Sequence, residues 1–380
     1  RIESSLDTYQ VSPINYSWNF SFQRTLPKGM IFEAGYVGRM ARNLLAGRDA
    51  VETNLNFTDT RSGQTWSQAA SILEVLRAAN APVGAVAPIP FFENVWAAGS
   101  LCAGLGICAG LTNTQAVYLL ARDFLGNDWT STQLELEFAG GPRHFYQGQY
   151  GALAVYSTIA SSDYHGGTFT LRQRFKETLS YDINYTFSKS LDDVSGLQTD
   201  APFTPFILNA TDIHQARAVS DFDVRHIVNA NMIWQLPFGR GRTFLSGAHR
   251  IVNGILGGWQ LSSIFRWNSG LPVEAPLDFG GWPTNWNRRN YITRTRPIEA
   301  SPTRGSDAAH PANLFSDPTA AYQSFRSGQP GERGDRNIFR YPGFVSLDLG
   351  LAKSFGMPWS ENHKLQIRWE VFNVTNTQRL

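Results

Sequence analysis

The sequence predicts an all-β fold, part of an antiparallel up-and-down transmembrane β-barrel with long, partly helical extracellular loops. Three observations predict it. Segments of about ten residues alternate apolar and polar side chains with period two, the length a tilted strand needs to cross a bilayer. The connections between them alternate short and long. The composition fits as well: of 380 residues, 42% are hydrophobic, 13% aromatic and only 17% charged, with 34 glycines. That mixture suits many short turns and aromatic girdles, and it excludes a disordered chain.

The alternation is clearest near the carboxyl end. In Val345–Phe355, Val345, Leu347, Leu349 and Leu351 share one face, and Ser346, Asp348, Gly350, Ala352 and Ser354 share the other. Lys353 breaks the apolar set, so it is expected near a rim, where it snorkels. In His363–Asn373, Leu365, Ile367, Trp369 and Val371 oppose Lys364, Gln366, Arg368 and Glu370. Earlier segments repeat the pattern. Tyr16, Trp18, Phe20 and Phe22 precede a tight turn at Pro27-Lys28-Gly29, and Met30–Arg39 follows it. Gly167–Phe175, Leu179–Ser190, Arg225–Leu236 and Trp259–Trp267 complete about eight strands. The charged face carries Arg172, Arg174, Asp182, Asp348, Arg368 and Glu370, which are predicted to line a wet lumen.

Short connections fall at Thr25–Gly29, Lys176–Thr178 and Gly356–Asn362, and a medium one at Pro237–Gly258. Long ones span Met40–Gly166, Leu191–Val224 and Gly270–Phe344. In an up-and-down barrel this order puts all short turns at one rim and all long loops at the other, as in outer-membrane barrels. Residues 1–380 therefore read as one portion of a barrel domain, with a partly helical extracellular insert at 40–163. Within the insert, Thr65–Asn80 has helical spacing. Thr112-Asn113-Thr114-Gln115 reads as a capping box that opens a helix ending near Gly126. Trp129–Phe138 reads as a third short helix. Together they predict a compact lid over the barrel mouth. The opening residues carry no leader, which reads as a fragment or a processed piece.

Cys102 and Cys108 are six residues apart, so a local disulfide in an oxidising compartment is expected; the alternative is two buried free thiols. A net charge of +2 without a long basic run argues against nucleic acid as a partner. No run of 18 apolar residues exists, so no transmembrane helix is predicted, and barrel strands remain open. No catalytic constellation is found: there is no nucleophile elbow, no phosphate-binding glycine loop and no metal-ligand spacing. The chain is thus expected to be no enzyme and to hold no cofactor or metal. Asp192-Asp193 and Glu332 read as solvated acidic turns. In the third long loop, Trp282, Trp286, Asn287, Arg288 and Arg289 are the candidate ligand contacts, because aromatic and guanidinium groups dominate binding surfaces.

Several segments taken in order resemble the carboxyl-terminal barrel of TonB-dependent outer-membrane receptors, specifically the Oar-like branch. They are Ser12-Pro13-Ile14-Asn15-Tyr16-Ser17-Trp18 with its hairpin, Phe91-Phe92-Glu93-Asn94, Tyr181–Asp193, Asp223-Val224-Arg225-His226, Leu236-Pro237-Phe238-Gly239-Arg240-Gly241-Arg242, Gly257-Gly258-Trp259-Gln260-Leu261, Ser269-Gly270-Leu271-Pro272, Arg336-Asn337-Ile338-Phe339-Arg340 and His363–Asn376. The resemblance implies a plugged barrel of about 22 strands, set in the outer membrane of a Gram-negative-type bacterium. It implies outer-membrane lipid as surroundings and a scarce ligand (sugar, peptide or siderophore) bound at the extracellular loops. It also implies uptake energised by the TonB complex through a plug. The plug and the amino-terminal domain of that family have no counterpart in these residues.

Two other readings stand beside this one. A surface or adhesive barrel protein without transport fits the same pattern. A soluble β-rich binding domain fits less well, since strand after strand repeats Tyr, Phe, Trp and Leu on one face, more than a soluble sandwich leaves outside.

Overall fold

A computed structural model describes residues 2–51, 54–140, 145, 152–175, 178–196, 207, 209–210, 212–273, 291–303, 305, 311–357 and 359–377. Eight long strands form one antiparallel meander. We label them β1 (Ile14–Leu26), β2 (Met30–Asp49), β3 (Ala152–Phe175), β4 (Leu179–Asp192), β5 (His226–Gln235), β6 (Trp259–Asn268), β7 (Phe344–Met357) and β8 (Ser360–Val371). Each pairs with its neighbour in sequence, from β1 at one edge to β8 at the other. Ile2–Leu6 adds in parallel to the start of β3, and Ala218–Val219 adds to the end of β4. Among the described residues β1 and β8 do not pair with each other, so the sheet is an open stretch of wall.

The register sorts side chains into two faces across all eight strands. Paired residues point to the same side. One row runs Phe22, Ala34, Phe169, Tyr185, Val228, Trp267 and Val345. The next runs Phe32, Leu171, Ile183, Ala230, Phe265 and Leu347. A third runs Leu179, Trp234, Leu261, Leu351 and Trp369. Apart from Arg24, which pairs with Phe32 near the short-turn rim, and Gln173 and Ser263 in the row between the second and third, the residues across these rows are apolar or aromatic, a pattern a hydrocarbon surround rewards on so broad a sheet. Local fits support this face. The indole of Trp18 lies across Gly38, where an added Cβ would meet the ring at 2.4 Å. The β1–β2 turn needs left-handed backbone at both Lys28 (φ 63°) and Gly29 (φ 72°), which glycine supplies without strain.

β2 and β3 run well beyond the predicted Met30–Arg39 and Gly167–Phe175, with 20 and 24 residues. Their outer halves stay paired, from Ala41↔Ser162 to Asp49↔Ala154, through irregularities at Ala41/Leu44 and Leu44/Ala46. The apolar alternation fades there because these halves face water or other loops, so the sequence pattern gave no strand signal. At about 3.3 Å per residue they carry the first insert on the order of 25 Å past the predicted membrane strands, once strand tilt is allowed for.

The insert holds the main hydrophobic core. Its helices are α1 (Trp66–Ala78), α2 (Pro90–Val95), α3 (Ser100–Leu105), α4 (Asn113–Leu120) and α5 (Trp129–Gly140). Thr65 and Thr112 each close a capping box with Gln68 and Gln115. Beyond α4 the chain continues through one wide π turn to Gly126. The short α2 and α3 escaped sequence reading because six residues give no helical period. Trp66, Phe91, Phe92, Trp96, Tyr118 and Trp129 are buried together with Leu73, Leu101 and Leu136, and their rings meet largely edge-to-face. A disulfide joins Cys102 to Cys108 across the end of α3, with Cα atoms 5.0 Å apart. By contrast, the wall between the rims buries almost nothing, as a barrel wall between lipid and lumen should.

Candidate functional site: the charged face and the long-loop rim

The face opposite the greasy rows is polar. One row reads Thr25, Ile31, Arg172, Asp182, Asn231, Ile264 and Asp348. The next contains Arg174, Ser180, Ile233, Ser262, Gly350 and Glu370, and the one after it Gln235, Gln260, Ala352 and Arg368. All six charges predicted for the lumen therefore lie on one face, in three successive rows. They do not converge on one point. Arg172 Nε donates to Asp182 Oδ2 at 2.8 Å across β3–β4, and Arg368 pairs with Glu370 along β8. Asp348 accepts the backbone N–H of Asn373 at 2.8 Å. Such a face suits water or a polar plug.

The long-loop rim is held by a chain of ion pairs that sequence reasoning did not foresee. Asp192 and Asp193 are not solvated: they are 2% and 5% exposed. Asp192 ends β4 and faces Arg336 at 3.0 Å. Asp193 accepts both the N–H and the hydroxyl of Ser161 at 2.7 Å, and Arg217 from the other side. Arg336 also pairs with Asp221 at 2.8 Å, and Asn337 Nδ2 donates to Asp221 Oδ1 at 2.7 Å and to Val219 O at 2.7 Å. Arg340 binds the Asp223 carboxylate, the Asp223 carbonyl at 2.9 Å and the Gly270 carbonyl at 3.1 Å. Glu332, likewise read as a solvated turn, accepts both guanidinium arms of Arg326. The missed signal was the matching of Arg and Asp between distant segments, which adjacency along the chain does not reveal.

These charges are neutralised in place. Burial works against ionising Asp221, but hydrogen bonds from Arg336 and Asn337 win and hold its pKa below the ordinary carboxylate value. Burial likewise disfavours the Arg336 cation, and Asp221 and Asp192 more than offset it, so its pKa is raised. The cluster is an interlock: it ties the second and third long loops to the middle of β3, at Ser161 and Asp163, and to the end of β4.

Two histidines sit on the greasy face near this rim, each held by a tyrosine. Tyr36 Oη and His165 Nδ1 are 2.7 Å apart, and Tyr185 Oη and His226 Nδ1 are 2.9 Å apart. With Trp18, Phe187 and Trp267 around them they form an aromatic girdle. His226 therefore has no catalytic partner in Asp223, which faces the rim network instead. Trp282, Trp286, Asn287, Arg288 and Arg289 lie outside the described residues. The insert does touch the described part of the same loop, where Ser71 Oγ donates to Pro330 O at 3.4 Å.

Among curated proteins no relative matches this chain. Among solved structures, the chain is similar to the outer membrane transporter YddB from Escherichia coli, at 8% identity and a TM-score of 0.37, with 98% of this chain and 30% of that chain covered. The chain thus spans less than a third of that transporter's length. Residues 3–380 match the family described as the outer membrane beta barrel domain. On that match, the greasy rows face the hydrocarbon of an outer membrane, and the chain belongs to the outer membrane beta barrel domain family.

Proposed function

We propose that the chain forms part of the wall and the outer lid of a TonB-dependent receptor of the Oar-like kind. It binds a scarce solute at the long-loop rim and passes it inward when a plug, driven by the inner membrane, moves within the lumen. The observation that carries this reading is the pairing of a largely polar face, opposite the greasy rows, with a large, separately packed insert on the long-loop side. A lid of that size recruits ligand from outside, and charges such as Arg172 and Asp182 give a plug polar groups to bind and release. The chain itself performs no bond chemistry on this reading.

A second reading is favoured by one feature. The lid has its own aromatic core and disulfide, as a displayed adhesive module does. Uptake separates the two. Cells carrying the protein are offered radiolabelled sugars, peptides and iron–siderophore complexes, with and without a protonophore. Accumulation that vanishes when the inner membrane is de-energised, and when the gene is deleted, supports the receptor. Accumulation of none of them, with loss of cell-surface adhesion on deletion, favours the adhesive barrel.

A further inference from the structure

The connection from β5 to β6 sits at the short-turn rim, which faces the periplasm in outer-membrane barrels. It is folded, not loose. Phe244 N–H donates to Pro237 O at 2.9 Å and Gly239 N–H returns to Phe244 O at 2.9 Å. A short helix, α6 (Arg250–Leu256), follows. Asn253 ties it back to Arg240 N–H at 2.7 Å. Trp259 Nε1 donates to Ile255 O at 2.8 Å. Lys353 reaches from β7 to the carbonyls of Ile255, at 3.2 Å, and Gly257. The snorkelling lysine therefore pins the helix end against the wall.

Between this connection and the wall lies a groove of about 390 Å³, lined by Leu236, Phe238, Leu245, Leu256, Trp259 and Leu351. Leu351 and Trp259 belong to the lipid-facing rows, so the groove is continuous with the membrane face and opens away from the lumen. Its flank leaves Phe244, Ile251 and Ile255 54%, 68% and 63% exposed. In water such a surface is a liability; at the headgroup level of a bilayer it is an anchor.

Charge completes the picture. No Asp or Glu occurs between Asp223 and Glu274, while Arg240, Arg242 and Arg250 fall inside the connection. All three are exposed. Arg242 donates to Gln235 Oε1 at 2.9 Å, on the polar side of the wall, which leaves Arg240 and Arg250 for the groove side, and none of the ion pairs among the described residues involves any of the three. Guanidinium groups at the headgroup level, beside an acyl-sized apolar slot, match a lipid phosphate and its tail. A second copy of this chain is disfavoured, since it would set the same basic segment against itself.

We propose that this rim holds an anionic phospholipid of the inner leaflet, its tail in the Leu236–Leu351 groove and its phosphate at Arg240 and Arg250. The proposal concerns the periplasmic rim and stands whether or not the protein transports anything. To test it, protein extracted from outer membranes is delipidated in neutral detergent and offered equal phosphatidylglycerol and phosphatidylcholine. Retained lipid is counted by native mass spectrometry, and heat-modifiable gel migration checks the fold. The wild type should prefer phosphatidylglycerol by roughly tenfold or more. R240Q/R250Q should bring that preference close to unity, R240K/R250K should keep it, and Leu256→Trp, which fills the groove, should reduce retention of both lipids. Equal retention of the two lipids by the wild type, no retention at all, or a preference untouched by the glutamine variant overturns the proposal. So does a protein dimer, in place of a lipid adduct, that Leu256→Trp disperses.

Discussion

At the scale of single residues, the two faces of one strand make opposite demands. Leu349 shares a row with Met232 and Val371, and Asp348 shares one with Arg172 and Asp182. An arginine at the bilayer midplane costs about 2–4 kcal/mol, whereas an amide in a wet lumen costs little. Leu349→Arg should therefore cut the yield of assembled protein in outer membranes severalfold, and Asp348→Asn should leave it near wild type. Equal yields would show the facing to be wrong. At the rim, Arg336 has no exposed side-chain surface and answers Asp192, which has almost none. Removing one partner of a buried pair costs about 3–5 kcal/mol, because the other charge is left stranded. Arg336→Leu should loosen the rim, seen as faster protease nicking within 193–225 and 269–343 with the wall still protected. A third group, Asp59, belongs to the lid. Burial raises its pKa, but Asn94, Ser62 and the N–H groups of Arg61 and Ser62 overcome this and bring it down to about 2. Since the folded value lies below the ordinary 3.8, its contribution is complete above that pH and fades as pH falls toward about 2. The unfolding temperature of the lid should drop across that window in the wild type. In Asp59→Asn the acid drop should shrink, at the cost of a lower plateau at neutral pH.

At the scale of elements, legibility followed the strength of the local pattern. The eight strands were readable because lipid on one side and water on the other impose period two, and the register then aligns the faces with few exceptions, among them Gln173 and Ser263 on the greasy side. The α1 and α4 starts were readable from Thr65 with Gln68 and Thr112 with Gln115, since a capping box is a local device. Each cap should be worth about 1 kcal/mol, so Thr65→Ala and Thr112→Ala should each lower lid stability by that order in a denaturant titration followed by tryptophan fluorescence. A change confined to wall unfolding would contradict the assignment. The outer halves of β2 and β3 were illegible for the converse reason: with no lipid beside them, Leu44, Ala46 and Ala160 turn toward loops, and the alternation dissolves. The rim interlock was illegible because Arg336 and Asp192 are 144 positions apart, and only folding makes them neighbours.

At the scale of the molecule, the open edges and the girdles argue together for where the membrane sits. Backbone groups cannot remain unpaired in hydrocarbon, so β1 and β8 require further pairing within the bilayer, with other strands of the barrel. The bilayer's position along the wall can be read from tryptophan. On β6, Trp267 stands in the girdle near the long-loop rim, and Trp259 stacks on Trp369 near the short-turn rim. The stretch between them spans about 27 Å along the strand, or near 20 Å once a tilt of about 40° is included, close to the apolar height of outer-membrane barrels. The row through Met232, Ser263 and Leu349 then lies near the middle. Nitroxide labels placed singly along Val345–Ala352 in reconstituted protein should test this directly. Oxygen, which concentrates in hydrocarbon, should relax labels at 345, 347, 349 and 351 most strongly, with the peak near 349. A water-soluble nickel chelate should favour 346, 348, 350 and 352. A period of two in antiphase between the reagents is what a wall between lipid and lumen demands. Accessibility without that period, or with oxygen favouring the even positions, would place the greasy face against protein and remove the membrane from the argument.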